Sequence, residues 1–311
     1  MALGQESAPA GHVPVLLGEV LSFLFPEGAR PGGTFCDATV GLGGHAAAIL
    51  TACGPSGRLI GLDRDAEALR ATEVALAPFT GRVTLVHAAF SRVGAVLVEL
   101  GLPPGTVTGM LVDLGVSSPQ LDRPERGFSF RHDGPLDMRM DQGSGETVAE
   151  LLGRVSETEL ARMLRDYGEE RFAGRIARNI LEAQDRGELA STGALAAVVA
   201  RAVPSHERHK NPATRTFQAL RIVVNRELEE LDAFLDQAAG CLAPGGRLCV
   251  ISFHSLEDRM VKRRFRRWAS DDFAGPRFRI LTRRIVLPTD EEQERNPRAR
   301  SAKLRVAERA A

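Results

Sequence analysis

The strongest candidate for a reactive group in this chain is an aspartate at the end of an apolar run. The run 109–112 leads into Asp113, and an irregular segment extends from there to Met140. Long irregular segments inside domains are usually functional or disordered. This one contains apolar side chains that argue against disorder, namely Phe128, Phe130, Leu136, Met138 and Met140. A strand-end acid followed by an ordered loop is a common place for an active site.

A glycine-rich turn provides the second candidate site. Segment 41–46 reads Gly-Leu-Gly-Gly-His-Ala between a predicted strand and a predicted helix, and Asp63 ends the next predicted strand. Glycines permit a sharp turn, a helix N-terminus offers free N–H groups, and a strand-end carboxylate accepts hydrogen bonds from ribose hydroxyls. The pattern predicts a nucleoside cofactor, either a dinucleotide or S-adenosylmethionine, and a purely structural turn is the third interpretation.

Two further features favour S-adenosylmethionine over a dinucleotide. Asp37 lies four residues before the first glycine, where a carboxylate attracts the cationic end of S-adenosylmethionine and repels a pyrophosphate. The Ala-Pro-Gly-Gly segment 243–246, between a predicted helix and a predicted strand, is typical of methyltransferase sheets. A methyltransferase is therefore favoured, with a nicotinamide dehydrogenase as the alternative.

The elements that must position these residues follow an alternating pattern. Strand and helix signals alternate up to Asp113 and again after residue 212, which predicts a parallel sheet with helices on both faces. Residues 147–203 instead show apolar spacings near three and four, which predict four helices. We expect an α/β, Rossmann-like class I methyltransferase domain at 1–124 plus 213–311, with an all-helical substrate-recognition domain inserted at 125–212.

The local patterns also predict the bounds of each element. The predicted strands are 33–40, 58–63, 83–87, 110–113, 247–253, 279–287 and 303–307. The predicted helices are 43–51, 65–76, 91–100, 147–154, 156–167, 172–184, 193–203, 216–242 and 256–268.

Composition excludes several classes of protein. A hydrophobic content of 43% and a charged content of 26% are typical of soluble globular proteins. The four cysteines are far apart and form no C-x-x-C pair, which argues against a zinc ribbon or a disulfide scaffold and suits a reducing cytosol. The first eleven residues do not resemble a signal peptide, and no apolar stretch reaches membrane-spanning length. We expect a cytoplasmic protein with no membrane partner and no metal site.

Charge is unevenly distributed along the chain. Residues 251–311 contain 16 Lys and Arg against 9 Asp and Glu, whereas the whole chain is neutral. A basic C-terminal part suggests a polyanionic partner, although a solvated surface explains the charge equally well. Basic residues that could neutralise phosphates are Arg162, Arg165, Arg171, Arg175 and Arg178 in the insertion, and Lys262, Arg263, Arg264, Arg266 and Arg267 after the fifth strand.

Taken together, these segments resemble the bacterial ribosomal RNA small subunit methyltransferase H family, also called MraW. The block 113–140 is long and unusual, which makes it the most specific part of the resemblance. The matching runs are 12–17, 41–45, 113–120, 126–130, 133–140, 167–172, 214–218, 251–258 and 296–300, so they span most of the chain.

The resemblance implies a reaction and a partner. The expected reaction is methylation of the N4 amino group of a cytidine in the decoding region of 16S rRNA, with S-adenosylmethionine as the cofactor. The expected partner is 16S rRNA within the 30S subunit, and a homodimer is compatible with the sequence. The implied cofactor contacts are Gly43, Gly44, His45, Asp63, Phe90, Asp113 and Gln120.

The chemistry of an exocyclic amine sets what the site must provide. Its lone pair is delocalised into the ring, so the enzyme must hold the N–H groups with acceptors and align the nitrogen with the methyl donor. Asp113 is the candidate catalytic residue, and binding of the cofactor is an equally good reading of it. The candidate substrate contacts are Ser117, Ser118, Pro119 and His254, with a capping role as the alternative for His254.

Aromatic rings, cysteines and histidines narrow the possible chemistry further. Phe128, Phe130 or Phe253 could stack on the target base. Methylation at carbon 5 is disfavoured because it needs a cysteine nucleophile, and the segment between Cys53 and Cys241 contains none. The histidines at 206 and 209 are better explained by a flexible basic loop than by a metal site. A ribosome-assembly RNA-binding protein is the alternative outside the enzymes.

Overall fold

The protein forms two compact units. The computed structural model describes residues 14–26, 32–204 and 211–311. The first unit contains the chain up to Gly115 together with Glu229–Ala311, and the second contains Val116–Leu228. Elements are numbered in chain order through both units.

A seven-stranded sheet forms the centre of the first unit. The strands are β1 (Thr34–Asp37), β2 (Arg58–Asp63), β3 (Val83–His87), β4 (Val107–Asp113), β5 (Leu242–Ser252), β6 (Phe278–Ile280) and β7 (Lys303–Arg309). Their order is β3-β2-β1-β4-β5-β7-β6. Strands β1 to β5 pair in parallel, and β7 and β6 are added antiparallel at one edge. This arrangement confirms the predicted Rossmann-like α/β class.

Alternation of side chains gives the sheet two buried faces. Cys36, Met110 and Val112 point into one core, and Phe35 and Leu111 point into the other. The first face is covered by α4 (Val93–Glu99), α11 (Glu227–Cys241) and α12 (Ser255–Trp268). The second is covered by α1 (Leu17–Leu24), α2 (Gly44–Ala52) and α3 (Ala66–Ala75). Helices on both faces are the predicted arrangement, and they leave the strand ends available for a site.

The second unit is helical. It contains α5 (Ser118–Asp122), α6 (Val148–Arg154), α7 (Glu157–Gly168), α8 (Ala173–Asp185), α9 (Thr192–Ala202) and α10 (Ala213–Asn225), and α6 to α9 are the four helices predicted for 147–203. A capping box begins α7: the Ser156 N–H donates to Glu159 Oε2 at 3.1 Å, and the Glu159 N–H donates to Ser156 Oγ at 3.3 Å. This reciprocal pair satisfies two donors that the helix leaves without backbone partners.

The irregular segment that follows Asp113 is ordered by buried polar contacts in the second unit. The Arg126 guanidinium donates to the Met140 carbonyl oxygen at 2.9 Å. The side chain of Asn225 accepts from the Met140 N–H at 2.8 Å and donates to the Met138 carbonyl oxygen at 2.7 Å. Buried backbone groups need such partners when no strand or helix supplies them. The segment is therefore folded, as its apolar content predicted.

The predicted helix 216–242 was wrong in one respect, because two helices occupy this region. Helix α10 ends at Asn225, and Arg226 has a left-handed backbone with φ of 50° before α11 begins. The Asn225 contacts with the irregular segment and the Arg221–Glu227 ion pair at 2.7 Å stabilise the break. Sequence periodicity on both sides of the break is helical, so it could not reveal the interruption.

The unit boundaries also differ from those predicted. Helix α10 belongs to the helical unit because Phe217 and Leu220 lie in its core, so this unit extends to Leu228 instead of residue 212. At the other end it begins at Val116 instead of residue 125, since Val116 and Leu121 pack against the same core.

The predicted strand 279–287 was also mostly wrong. Strand β6 contains only Phe278–Ile280, and a single bridge joins Val286 to Leu304. The hydroxyl of Thr282 accepts the Val306 N–H at 2.8 Å, so a side chain replaces the backbone partner and the ladder ends there. Helices α1 and α13 (Asp290–Arg295) were not predicted.

None of the helices in the described ranges combines the length and the apolar character that a membrane crossing requires.

Two glycines of the second unit provide a test of its packing. A Cβ at Gly134 would overlap the carbonyl oxygen of Pro124, whereas a Cβ at Gly153 in α6 would meet no atom within 4 Å. We expect Gly134→Ala to lower the free energy of unfolding by about 2–3 kcal/mol, because backbone atoms must move. The matched variant Gly153→Ala should be neutral or stabilising by up to about 1 kcal/mol. Urea unfolding followed by circular dichroism measures both, and equal midpoints would contradict this account of the loop.

Candidate active site

Three aspartates end neighbouring parallel strands at the same edge of the sheet. Asp37 ends β1, Asp63 ends β2 and Asp113 ends β4. Strand β1 lies between β2 and β4, so Asp37 is flanked by the other two strand ends. The carboxyl ends of parallel strands are the usual location of ligand sites in such sheets.

Asp37 is the most buried of the three. Its side chain is 1% exposed, and its Oδ1 accepts the Thr39 N–H at 3.2 Å. Its Oδ2 is buried and has no hydrogen-bond partner among the described residues. Burial raises the pKa of Asp37 from 3.8 to about 7; the Thr39 N–H opposes this rise, and the charge of Asp63 adds to it. A buried acceptor without a partner is costly unless a ligand supplies a donor or a positive charge.

The backbone N–H of Asp113 forms a hydrogen bond, whereas one of its carboxylate oxygens does not. Its N–H donates to Thr39 Oγ1 at 2.7 Å, and its Oδ2 lies 3.8 Å from Nδ1 of His45. Its Oδ1 is buried and lacks a hydrogen-bond partner in the described part of the chain. Burial, and then the charges of Asp37 and Glu257, raise the pKa of Asp113 well above its usual range. Perturbed carboxylates of this kind are common at functional sites.

Asp63 fixes the glycine turn. Its Oδ2 accepts the Gly41 N–H at 2.8 Å, and its Oδ1 accepts the Asp65 N–H at 2.8 Å. The Thr72 hydroxyl donates to the Gly41 carbonyl oxygen at 2.5 Å, so both polar groups of this glycine are satisfied. Burial raises the pKa of Asp63, and the two N–H donors oppose that rise. Each carboxylate oxygen still has acceptor capacity for a ribose hydroxyl.

The glycines of the turn differ in what they face. A Cβ at Gly43 would lie 3.1 Å from Thr72 Cγ2, and one at Gly44 would lie 2.5 Å from Pro14 Cγ. At Gly41, with φ of 53°, the nearest atom would be 3.8 Å away. Packing within the protein therefore accounts for glycine at 43 and 44, and Gly41 is the one with space for a ligand. Gly41 was not among the cofactor contacts predicted from the sequence.

His45, Phe90 and His254 also lie in the first unit. His45 is buried, and its Nε2 is 3.0 Å from the Val15 carbonyl oxygen, which identifies Nε2 as the donor. The ring of Phe90 packs edge-to-face on Phe234, with centroids 5.6 Å apart. His254 caps α12, because its Nδ1 accepts the Glu257 N–H at 3.4 Å. Of the two roles considered for His254, the structure thus supports capping.

The other predicted contacts lie in the second unit. Ser117, Ser118, Pro119 and Gln120 form the start of α5. The Ser117 N–H donates to Gln120 Oε1 at 3.0 Å, and Gln120 is buried. This contact fixes the beginning of the helix. A role for these four residues toward cofactor or substrate stays a prediction.

The three candidate stacking rings have different surroundings. Phe128 is in the core of the helical unit, and Phe130 packs edge-to-face on Phe217 with centroids 5.1 Å apart. Phe253 is only partly buried at the end of β5, and its ring lies beside Gly115. Phe130 and Phe253 are thus both partly buried, and Phe253 is the one in the same unit as Asp113. The histidines at 206 and 209 lie outside the described residues.

Comparison with known proteins assigns the chain to a family. A sequence model described as the MraW methylase family matches residues 9–310. The chain belongs to the MraW methylase family. A relative from Nitratidesulfovibrio vulgaris strain Hildenborough, named ribosomal RNA small subunit methyltransferase H, is 52% identical over 96% of both chains. Relatives of the same name from Heliobacterium modesticaldum and Methylobacillus flagellatus are 50% and 48% identical, over 96% and 100% of this chain and 98% and 99% of theirs.

MraW family membership identifies the reaction class as methyl transfer, with S-adenosylmethionine as cofactor, as the sequence predicted. The residues present fit that group. Asp37 Oδ2 is a buried acceptor without a partner in the described ranges, as a positively charged ligand requires. Gly41 and Asp63 offer space and acceptors for its nucleoside end. The dehydrogenase alternative is thereby dismissed.

The buried Asp37 should make the stability of the protein depend on pH. Its pKa rises from 3.8 to about 7 on folding, so the folded state holds this proton more tightly. Stability is lost as pH rises through that range, by about 4 kcal/mol in total at 1.36 kcal/mol per unit. Asp37→Asn keeps an acceptor for the Thr39 N–H but removes the charge. We expect it to raise the free energy of unfolding at about pH 8 and to have little effect at about pH 4.

Denaturant titrations of the ligand-free protein at the two pH values measure this effect. Asp272→Asn is the control, because Asp272 is exposed and its replacement removes the same charge at about pH 8. A difference between wild type and Asp37→Asn that is the same at both pH values would refute the proposed burial penalty.

Proposed function

We propose that this MraW-family protein methylates the N4 amino group of a cytidine in the decoding region of 16S rRNA. The relatives named ribosomal RNA small subunit methyltransferase H support small-subunit rRNA as the substrate. The observation that carries the proposal is that Asp37 and Asp113 each have a buried carboxylate oxygen without a hydrogen-bond partner among the described residues. One carboxylate suits the positive cofactor, and the other suits an amine that must be held by its N–H groups.

The cysteines support an amine target over carbon 5. All four cysteines are buried. Burial raises the pKa of Cys241 to about 11 and that of Cys249 to about 12. Burial, and then the charge of Asp37, also raises the pKa of Cys36 well above its usual range. Attack on carbon 6 of cytosine needs a thiolate, so none of these thiols is suited to start methylation at carbon 5.

Asp113 is proposed to hold the amine and to receive its proton. When bound, S-adenosylmethionine would supply an electrophilic methyl group, and its sulfonium would leave as a neutral thioether. The Asp113 carboxylate accepts one N–H of the amino group, which orients the nitrogen. As the new N–C bond forms, nitrogen becomes acidic and loses a proton. The raised pKa of Asp113 makes its carboxylate a better acceptor for that proton than an ordinary aspartate.

Phe253 is proposed to support the cytosine ring. It follows β5 directly, and its N–H donates to Glu257 Oε2 at 2.8 Å, which fixes its backbone. Its partly exposed ring lies next to Gly115, two residues after Asp113. Stacking contributes about 1–3 kcal/mol per base and requires no particular sequence. A base outside the helical stack is also cheaper to bind, which favours a single-stranded target.

Transfer of labelled methyl groups tests the proposed function. We expect wild type to label 30S subunits, with the label recovered as N4-methylcytidine, and naked 16S rRNA to serve for comparison. Asp113→Ala should lower kcat by about 10²–10⁴-fold. Asp272→Ala, an exposed acid outside the site, should leave kcat unchanged. Light scattering of the same preparation tests whether the protein forms a homodimer, with which the sequence is compatible.

Several outcomes would count against the proposal. Label on carbon 5 of cytosine or on protein alone would contradict the assigned target. Tight RNA binding without any transfer would favour the alternative of an RNA-binding assembly protein. Full activity in Asp113→Ala would remove Asp113 from the reaction while leaving the substrate assignment intact.

Proton release should accompany cofactor binding. Asp37 has a pKa of about 7, so it is protonated below that pH. A cation beside Asp37 favours the ionised form, so binding of S-adenosylmethionine competes with this proton. We expect the affinity to rise about tenfold from about pH 6 to about pH 8. Calorimetric titration measures the affinity for S-adenosylmethionine at each pH. The same titration of Asp37→Asn gives the pH dependence that comes from ionisation of the cofactor itself. Identical pH profiles for the two proteins would show that Asp37 does not face the positive charge.

A further inference from the structure

A cavity of about 410 Å³ lies in the first unit between the C-terminal half of α12, strand β6 and the residues that follow it. None of the residues assigned to the candidate active site lines it. Its basic lining residues are Lys262, Arg266, Arg279, Arg283 and Arg305, and no acidic side chain lines it. We refer to it as the basic cavity.

Two of the five basic side chains are neutralised by partners. Arg305 donates to both oxygens of Asp258, at 2.6 and 3.1 Å. Arg279 donates to Glu308 at 2.8 Å. Each of these cations therefore already has a counter-charge, and their role is to shape the cavity.

The other three basic side chains have no such partner. Lys262, Arg266 and Arg283 are exposed and form no ion pair within the described part of the chain. Lys262 and Arg266 are four residues apart on α12, which places them on one face of the helix. Three like charges around one concave surface repel one another, and an anion bound among them would relieve that repulsion.

The apolar wall behind these charges is rigid. Phe265 stacks on Trp268 with centroids 5.4 Å apart, and Trp268 packs on Phe278 at 4.8 Å. All three rings are buried. The Thr282 hydroxyl, bound by the Val306 N–H, fixes the segment that leads to Arg283. The cavity is thus a preformed surface whose free cations are carried on a fixed backbone.

The basic surface continues beyond the cavity. Arg263 and Arg267 on α12 and Arg284 are also exposed, and each directly follows one of the three free cations in sequence. A single small anion would need only the cavity itself. A polymer with a charge on every unit matches a cavity flanked by further positive charge, and RNA is such a polymer.

We propose that the basic cavity binds backbone phosphate of the substrate rRNA at a position separate from the nucleotide that is methylated. The proposal rests on the proposed function, since it takes rRNA as the substrate. Phosphate contacts set register and orientation without reading sequence. The cavity would thereby determine which stretch of RNA presents its cytidine to Asp113.

Two charge-matched triple variants test this proposal. The cavity variant is Lys262→Gln with Arg266→Gln and Arg283→Gln. The control is Arg58→Gln with Arg70→Gln and Arg92→Gln, which removes the same charge from exposed positions near β2 and β3, at the opposite edge of the sheet from β6. Binding of a 16S rRNA fragment is measured against salt concentration for both, and methyl transfer is measured in parallel. Thermal unfolding establishes that both variants are folded.

We expect the cavity variant to weaken RNA binding and raise KM for RNA by about tenfold or more, with kcat and affinity for S-adenosylmethionine unchanged. The slope of log affinity against log salt should decrease by about 0.7 for each phosphate that the variant no longer neutralises. The control variant should change KM less than about threefold, because its three positions lie outside the cavity.

Equal losses in the two variants would overturn the proposal, because they would indicate a diffuse positive field without a site. Unchanged RNA binding in the cavity variant would also overturn it, as would loss of binding to an acidic peptide but not to RNA. RNA binding that depends on the cavity, without methyl transfer by wild type, would instead refute the proposed function and leave the cavity assignment standing. The two failures are therefore distinguishable.

Discussion

The burial of two like-charged carboxylates at the ends of adjacent strands is the constraint on which this site depends. Asp37 and Asp113 are brought together because β1 and β4 are hydrogen-bonded neighbours, and the charge of Asp37 adds to the cost of ionising Asp113. Neither carboxylate has a full set of partners within the described chain. Such an arrangement is unfavourable in isolation, and it is tolerated because the surrounding sheet is well packed.

Small polar contacts hold this edge in place. Thr39 serves both acids: its N–H donates to Asp37 and its hydroxyl accepts the Asp113 N–H. Asp63 fixes the glycine turn in a similar way, because its carboxylate accepts the Gly41 N–H. These contacts fix the backbone and leave carboxylate oxygens available. The protein thus fixes the position of its acceptors without satisfying them, which is what a preorganised polar site requires.

In the helical unit, side chains must supply the hydrogen bonds of a long irregular segment, since it lacks the backbone partners of a strand or a helix. Arg126 and Asn225 supply hydrogen bonds to the backbone of residues 138–140, and Met138 and Met140 are buried beside them. The same asparagine ends α10, so ordering the segment and interrupting the helix are one structural event. Basic residues of this unit are partly engaged as well, because Arg175 lies over the Phe172 ring and Arg178 pairs with Glu157.

Local pattern in the sequence was sufficient for much of the fold and for placing two acids at the ends of strands. Alternating strand and helix signals predicted β1 to β4, and apolar spacings near three and four predicted α6 to α9, because side-chain periodicity is set by the backbone geometry of each element. Asp63 and Asp113 were identified by their position at strand ends. Capping signals were also reliable, as at Ser156, since a cap involves residues only three apart.

Only the tertiary structure decided which of these residues have counter-charges, which have space beside them and which are buried. Arg264 has the same sequence environment as its basic neighbours, but Asp232 and Asp236 neutralise it, whereas Lys262 and Arg266 remain without counter-charges in the described structure. A Cβ at Gly41 would meet no atom closer than 3.8 Å, whereas one at Gly44 would overlap Pro14. The pKa of Asp37, the break at Arg226 and the basic cavity likewise depend on contacts between residues far apart in sequence. Sequence determines the side chains and their local geometry, but pairing and burial are properties of the folded chain.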